Sequence, residues 1–456
     1  MSQAATTYEK LVNELEGLEI IIDEAKLVRL SKDFSYFSPV LKNFLKGHKA
    51  DLVVKPKTES EIVQVTGACA RHGVPLTMRG SGTGNYGQVT PLEGGVVMDL
   101  TAYKSPLWLE GGVARVQAGI RLVNIDEWAK PQGWEMRMVS STYRIATIGG
   151  LFAGGFGGVG SVTYGALAER GTVLGARAVT MEAEPKILEF RGDDALDLHH
   201  AYGINGVVTE LEFAMAPTMR WHEAVVTFDD FMDAARFGQA ITETGGVVKK
   251  LVTVLADPIP QLCGLDERGV ADGEHVALVI MAENARQPVK EIAEKEGGRI
   301  ISEMDEDEAN RKGSVIEFTW NHTTLHSLKG NTDLTYLQSG FRPGVNLEQV
   351  EHMYHHFGNE VMMHLEFIRS DGMATCSGLQ LVRYTTEARL NEIMDYHEQQ
   401  GVHIANPHTH ILEDGGKKST NTRQLAMKRR MDPKGLLNPG KMRAWGGVHE
   451  LNGDSK

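Results

Sequence analysis

The sequence predicts an α+β fold in which a glycine-rich α/β part is followed by an α+β part with an antiparallel sheet. Three observations predict it. The stretch Pro75–Gly95, PLTMRGSGTGNYGQVTPLEGG, crowds Gly80, Gly82, Gly84 and Gly87 between two apolar, strand-like runs. A helical pattern precedes that stretch, so the order reads β-α-β. After Trp221 the texture changes to strands alternating with helices, as in EAVVTFDDFMDAARFGQAITETGG and HVALVIMAENARQPVKEIAEKEGG. Such pairing places helices on one side of a sheet.

With 456 residues the chain has room for two or three domains and a large core. It is 41% hydrophobic and 23% charged, ordinary for a globular protein. A net charge of −13 with no basic stretch argues against a nucleic-acid partner. Cys69, Cys263 and Cys376 lie far apart, with no CxxC, and read as buried or free thiols in a reducing compartment. MSQAATTYEK has no apolar leader region, and no apolar run is long enough for a membrane helix. The expectation is a cytoplasmic protein without a membrane partner.

Taken in order, Tyr8 to Leu30 reads as an amphipathic helical lead, with Leu11, Leu15, Leu18, Ile22 and Ala25 on one face. The aromatic stretch FSYFSPVLKNFLKGHK follows, then a strand over Ala50–Pro56. Thr58 and Glu61 form a capping box that opens a helix over 59–72, ended by Gly73. The strand into the glycine loop comes next, then GGVVMDL. Ala114–Gln117 is a strand ending at Ala118-Gly119, and 122–132 a helix ending at Gly133. Thr147–Gly160 is dense in glycine. VLGARAVTM is a strand, and Tyr202–Phe213 a glycine turn into a strand that closes the first domain near Pro217. The segment Phe318–Leu337 is rich in Trp, His and Tyr, with Trp320, His322, His326 and Tyr336 as pocket candidates or as an aromatic core. Leu425–Met431 ends a basic helix, and Asp432-Pro433 begins a turn.

Glycines at 82, 84 and 87 match G-x-G-x-x-G. A dinucleotide fingerprint of the Rossmann type needs a helix opening directly after the glycines. Here Pro91, Gly94 and Gly95 lead into another strand, so that fold is rejected. A second match at Gly155, Gly157 and Gly160 shows how little the pattern alone carries. What such a loop does offer is close backbone approach and a nest of N–H groups for an anion.

The ordered set ADLVVKPKTESEIVQVTGACARHGVPLTMRGSGTG, GGVVMDL, ARVQAGIRL, ATIGGLFAGGFGG, YGINGVVTELEF and DPKGLLNPGKM resembles the FAD-binding fold of the vanillyl-alcohol oxidase/p-cresol methylhydroxylase superfamily (PCMH-type). The resemblance covers about 170 residues and the C-terminal return. It implies a helical lead over 1–45, an FAD-binding domain of two α/β lobes over 46–218, a substrate-binding α+β cap over 219–400, and a return to the FAD domain over 401–456. It implies an FAD-linked oxidase or dehydrogenase that oxidises a hydroxyl-bearing carbon, in a 2-hydroxy acid or an alcohol, by hydride transfer to flavin N5. Oxygen, a quinone or a carrier protein would accept the electrons, and a homo-oligomer is allowed. The alternatives are a phenolic or polyol alcohol oxidase using oxygen, a flavin-binding subunit of a larger redox complex, and an apo binding protein.

Carried onto matching positions, the resemblance implies cofactor contacts from Arg79, Gly80, Ser81, Gly82, Thr83, Gly84, Asn85, Tyr86, Gly119, Ser140, Ala146, Thr147, Gly149, Gly150, Gly154, Gly155, Gly206, Val207, Val208 and Asn438. Backbone amides of Ala146–Gly150 are expected to donate toward the flavin ring. Asp99 reads as a turn residue. Many relatives link FAD covalently through a His in the glycine loop. RGSGTGNYG has none, so the FAD is expected to be non-covalent. The His-rich metal motif of the D-lactate and 2-hydroxyglutarate branch is missing, its nearest substitutes being NPHTHILEDGG and His364-Leu365-Glu366, and no metal is assigned. His408 and His410, in NPHTHILEDGG, could be two metal ligands on one strand face. The favoured role is a catalytic base, His410 first and His408 second, because His suits proton transfer near neutral pH. Arg342, Arg369 and Arg383 are the candidates for clamping a carboxylate, with Arg342 and Arg383 favoured.

Overall fold

The computed structural model describes residues 3–415 and 421–446. Part of the 401–456 return, including Gly416, lies outside the described residues. Local signals form the elements as expected in the first lobe. The Thr58 hydroxyl accepts from Glu61 N at 3.2 Å, Glu61 in turn accepts from Lys57 N, and Gly73 ends the helix Glu59–His72 at φ +66°. This helix joins strand Leu52–Val54 to strand Leu76–Arg79, and both pair parallel to Val96–Asp99. No helix follows the glycine loop before Val96–Asp99, in line with the rejected Rossmann reading.

The helical lead is broken. Gln3–Glu14 is a helix, Gly17 turns the chain at φ +90°, and Ile20–Ile21 adds an antiparallel edge strand to the four-stranded sheet. Leu11 and Leu15 are fully buried, but Ile22 is 74% exposed, because it lies between that strand and the next helix and no longer on a helical face. A second helix, Glu24–Leu30, buries Leu27 and leaves Ala25 exposed.

The second lobe is an antiparallel sheet in the order Pro106–Glu110, Val113–Gln117, Val207–Pro217, Val173–Val179, Ile187–Arg191, with Trp134–Met136 on the far end of Val207–Pro217. From Trp221 the chain enters an eight-stranded antiparallel sheet. Alternation sorts its faces. Val226, Val252, Val254, Val279 and Phe367 pack under the helices Phe231–Glu243 and Asn346–Phe357. Val225, Leu251, Leu278 and Ile280 face the second lobe and share its core. The mixed architecture agrees with the α+β class expected. Leu437 then bridges back to Leu76, which brings the C-terminal segment under the glycine loop. Cys69, Cys263 and Cys376 are free and buried. Among the described residues no helix is long and apolar enough to cross a membrane.

Candidate active site

A cavity of about 960 Å³ runs from the glycine loop, between the two lobes, to the cap sheet. It lies at the upper end of the size range of ligand sites. Its first wall is largely backbone. Residues 79–86 all line it, as do Ser140, Ala146, Thr147, Gly149, Gly150, Gly154, Gly155, Gly206 and Val208. Among the described residues, none of the backbone N–H groups from Gly80 to Asn85 donates to a protein acceptor. These are the donors an anion-binding nest requires. Gly82 sits at φ +70°, where L side chains are strained, and a Cβ there would overlap the Arg79 guanidinium. At Gly80 a Cβ would overlap Thr147 Oγ1.

The loop is held from both chain ends. Phe34 N donates to Gly84 O at 2.7 Å, and Arg79 Nη1 donates to Lys32 O at 2.8 Å. Lys441 Nζ donates to Gly87 O, and burial pushes this ammonium down to about 7. Gln88 Nε2 donates to Gly154 O at 3.1 Å, tying the two glycine-rich loops together. The chemistry of this wall fits a dinucleotide diphosphate: unspent N–H groups, glycines at 80, 82 and 84, and the charge of Arg79, whose guanidinium is held by Lys32 O and Ser81 O.

Seven expected site residues stand away from the cavity. Gly119 is a packing glycine, because a Cβ there would overlap the carbonyls of Leu100 and Tyr103. Val207 is fully buried in the first lobe's core. Asn438 is also buried; its Nδ2 donates to Gln88 O and Tyr202 O, both at 2.8 Å, so it braces the loop from behind. His408 is boxed in by Ser38 Oγ and Tyr336 O, each at 2.9 Å, and burial pushes its imidazole down to about 4. His410 is fully buried and stacks on Phe44 at 4.5 Å. Arg342 is exposed outside the cavity, and the exposed Arg383 lies 3.7 Å from Asp333. The physical reason for the histidines is local: residues 405–410 form a turn rather than the expected strand, and the segment Ser35–Phe44 covers it and takes both rings into its own packing.

Other expectations also change. Ala146, Ile148, Gly149 and Gly150 donate their N–H groups to Thr142 O, Ile120 O, Ala118 O and Thr147 Oγ1, so these amides are engaged within the protein. Arg369 does line the cavity, but its guanidinium donates to Gly372 O and Thr242 O, both at 2.8 Å. Asp99 accepts from Thr101 N and Oγ1, the turn role expected. Trp320 lines the cavity; His322, His326 and Tyr336 do not. Among the described residues no group of three or more His, Cys, Asp or Glu side chains is placed to hold a metal ion.

The second wall comes from the cap, and Gln338, Gly340, Ser377 and His403 in it are positions that no motif marks. One face of the cap sheet carries a cross-strand row: Thr253 pairs with Glu366, Glu366 with Ser377, Ser377 with Gly340, and Gly340 with His403. Ser377, Gly340 and His403 line the cavity. Glu366 is buried beside them and accepts from Thr253 Oγ1 at 2.6 Å and from Trp320 N at 2.5 Å, with His364 Nε2 at 2.8 Å. Trp320 is thereby held at φ +50°, with its ring 3.0 Å from where a Gly157 Cβ would stand. Gln338, one strand step from Gly340 on the same face, accepts from Tyr86 OH and so joins the cap to the glycine loop. The row crosses five strands, and their order and register cannot be read from the sequence.

Comparison with known proteins agrees with the first wall. Residues 50–189 match the FAD binding domain family. The chain is 32% identical over 177 residues to the glycolate oxidase subunit GlcD of Escherichia coli, covering 36% of this chain and 34% of that protein. It is 30% identical over 180 residues to a D-lactate dehydrogenase of Archaeoglobus fulgidus, 37% of this chain and 39% of that one. It is 31% identical over 137 residues to a D-2-hydroxyglutarate dehydrogenase of Escherichia coli, 29% of this chain and 13% of that one. These matches span little more than a third of the relatives' length at most. In overall fold the chain is similar to alkyldihydroxyacetonephosphate synthase, with a TM-score of 0.71 at 15% identity, covering 95% of this chain and 84% of that one. Residues 50–189 thus match an FAD-binding domain, and FAD is the cofactor.

Proposed function

We propose that this chain, whose residues 50–189 match an FAD-binding domain, oxidises a hydroxyl-bearing carbon, in a 2-hydroxy acid or an alcohol, to a carbonyl. The observation that carries the reading is the cavity itself. One wall is fitted to the cofactor, and the opposite wall is a polar face of the cap sheet. The names of the relatives, a glycolate oxidase subunit and D-lactate and D-2-hydroxyglutarate dehydrogenases, support a 2-hydroxy acid within that class. In the division of labour we propose, 46–218 binds FAD, 219–400 binds substrate, and 401–456 returns to brace the loop.

When bound, FAD supplies the two-electron acceptor for the hydride. The protein's part is to bind, orient and deprotonate. The N–H groups of 80–85 and Arg79 hold the diphosphate. His403, at the rim and without a hydrogen-bond partner among the described residues, is the proton acceptor for the substrate hydroxyl in place of His410 and His408. The electron acceptor that completes the cycle is oxygen, a quinone or a carrier protein. The cofactor is held without a covalent bond, so acid precipitation should leave the yellow colour in the supernatant. The decisive test is anaerobic bleaching of the holoprotein by glycolate, D-lactate, glycerol and benzyl alcohol. Bleaching by any of them is the expected result; a flavin left oxidised by all four refutes the reading.

A further inference from the structure

The cross-strand row has a gap in it. Ser377, Gly340 and His403 stand side by side on three neighbouring strands, and the middle position has no side chain. Neighbouring strands lie about 4.8 Å apart, so Ser377 and His403 flank an opening about 10 Å across, backbone to backbone. The opening faces the cavity. A Cβ on Gly340 would meet nothing closer than His403 Cβ at 3.8 Å, and this glycine is not in the left-handed region. Neither backbone conformation nor packing therefore requires glycine here. That contrasts with Gly378 on the adjacent strand, where a Cβ would overlap Ser339 Oγ.

The rim of the opening carries hydrogen-bonding groups that the protein leaves unused. Among the described residues the Ser377 hydroxyl and the His403 imidazole have no partner. Gln338 Oε1 accepts from Tyr86 OH, which orients the carboxamide and leaves its Nε2 for a ligand. A hydroxyl donor and acceptor, an amide donor and an imidazole around a bare backbone form a site for a small oxygen-bearing group.

We propose that the notch over Gly340 is the substrate subsite. In it the hydroxyl-bearing end of the substrate docks against the backbone, Ser377 and Gln338 hold its oxygens, and His403 takes the hydroxyl proton. The subsite rests on the oxidoreductase reading above and sets its substrate class: the reacting end must be small, a primary or secondary hydroxyl with at most a short neighbour. Glu366, through Trp320, is a positioning residue for the far side of the same wall.

Gly340→Val fills the notch with a residue suited to a strand. FAD stoichiometry and thermal midpoint should match the wild type, while anaerobic reduction by the compound that bleaches the wild type becomes at least tenfold less efficient, chiefly through KM. Gly340→Ala should show a smaller loss of the same kind. Ser377→Ala, which changes little volume, should raise KM several-fold without loss of flavin, and it keeps the test open if the valine variant does not fold. Wild-type KM and limiting rate in these variants would overturn the subsite. If no compound bleaches the wild type, the oxidation reading fails separately. The notch is then tested by perturbation of the flavin absorption spectrum with glycolate and glycerol. Perturbation lost in Gly340→Val supports it; perturbation equal in both proteins, or absent from the wild type, overturns it.

Discussion

The two walls of the cavity are made in opposite ways. The FAD-domain wall is a run of consecutive residues, Arg79 to Tyr86, presenting backbone N–H groups, with glycine at every second position from 80 to 84. The cap wall is a row of side chains, Glu366, Ser377 and His403, drawn from three separated segments and aligned by strand register around Gly340. A backbone nest recognises a charge and tolerates no Cβ at its glycines. A side-chain row recognises shape and hydrogen bonds, and can change one residue at a time. A constant cofactor and a variable substrate are suited to these two constructions respectively.

If the comparison is right, damage to the two walls should be separable. The largest effect belongs to the first wall. Gly82→Val adds strain at φ +70° and overlaps Arg79, so we expect folded protein with little flavin. The flavin-to-protein absorbance ratio measures this, and normal occupancy would break the assignment of the loop. Next comes the second wall. His403→Ala should slow the reductive step by about 10²–10⁴-fold at unchanged flavin content, whereas His410→Ala should stay within a few-fold. Stopped-flow anaerobic reduction compares the two, and the reverse order would restore the return segment as the source of the base.

His408 belongs to neither wall and should act on stability. Its imidazole ordinarily titrates near 6.5 but is pushed down to about 4 by burial. Between these values the unfolded chain binds the proton and the native chain does not, so stability must fall as pH drops from 6.5 to 4. The contribution is fully present above 6.5 and lost below 4, about 3 kcal/mol in all. His408→Gln should flatten the dependence of Tm on pH across that window without changing flavin reduction at neutral pH. The smallest effect is expected from Arg342→Ala and Arg383→Ala, which stand outside both walls. KM within twofold of wild type is the expected result, and a tenfold rise would return a carboxylate clamp to one of them.

The sequence by itself determined the first wall, because its information is local. Successive glycines, the Thr58–Glu61 cap and the missing helix before Val96 are statements about neighbours in the chain, and each holds in three dimensions. Close spacing also placed Thr147 and the TIGG amides at the cavity, although which of those amides stay free depends on Ala118 and Ile120, distant in sequence. Tertiary structure alone decided the second wall. Thr253, Glu366, Ser377, Gly340 and His403 become one row only through strand order and register, and a one-residue slip would turn every one of them away. It also decided the fate of the His408–His410 pair. An H-x-H motif in the C-terminal return is the same string whether its rings face a substrate or, as here, Ser38, Tyr336 and Phe44. Burial is a property of what packs against a residue, and that is set by distant segments.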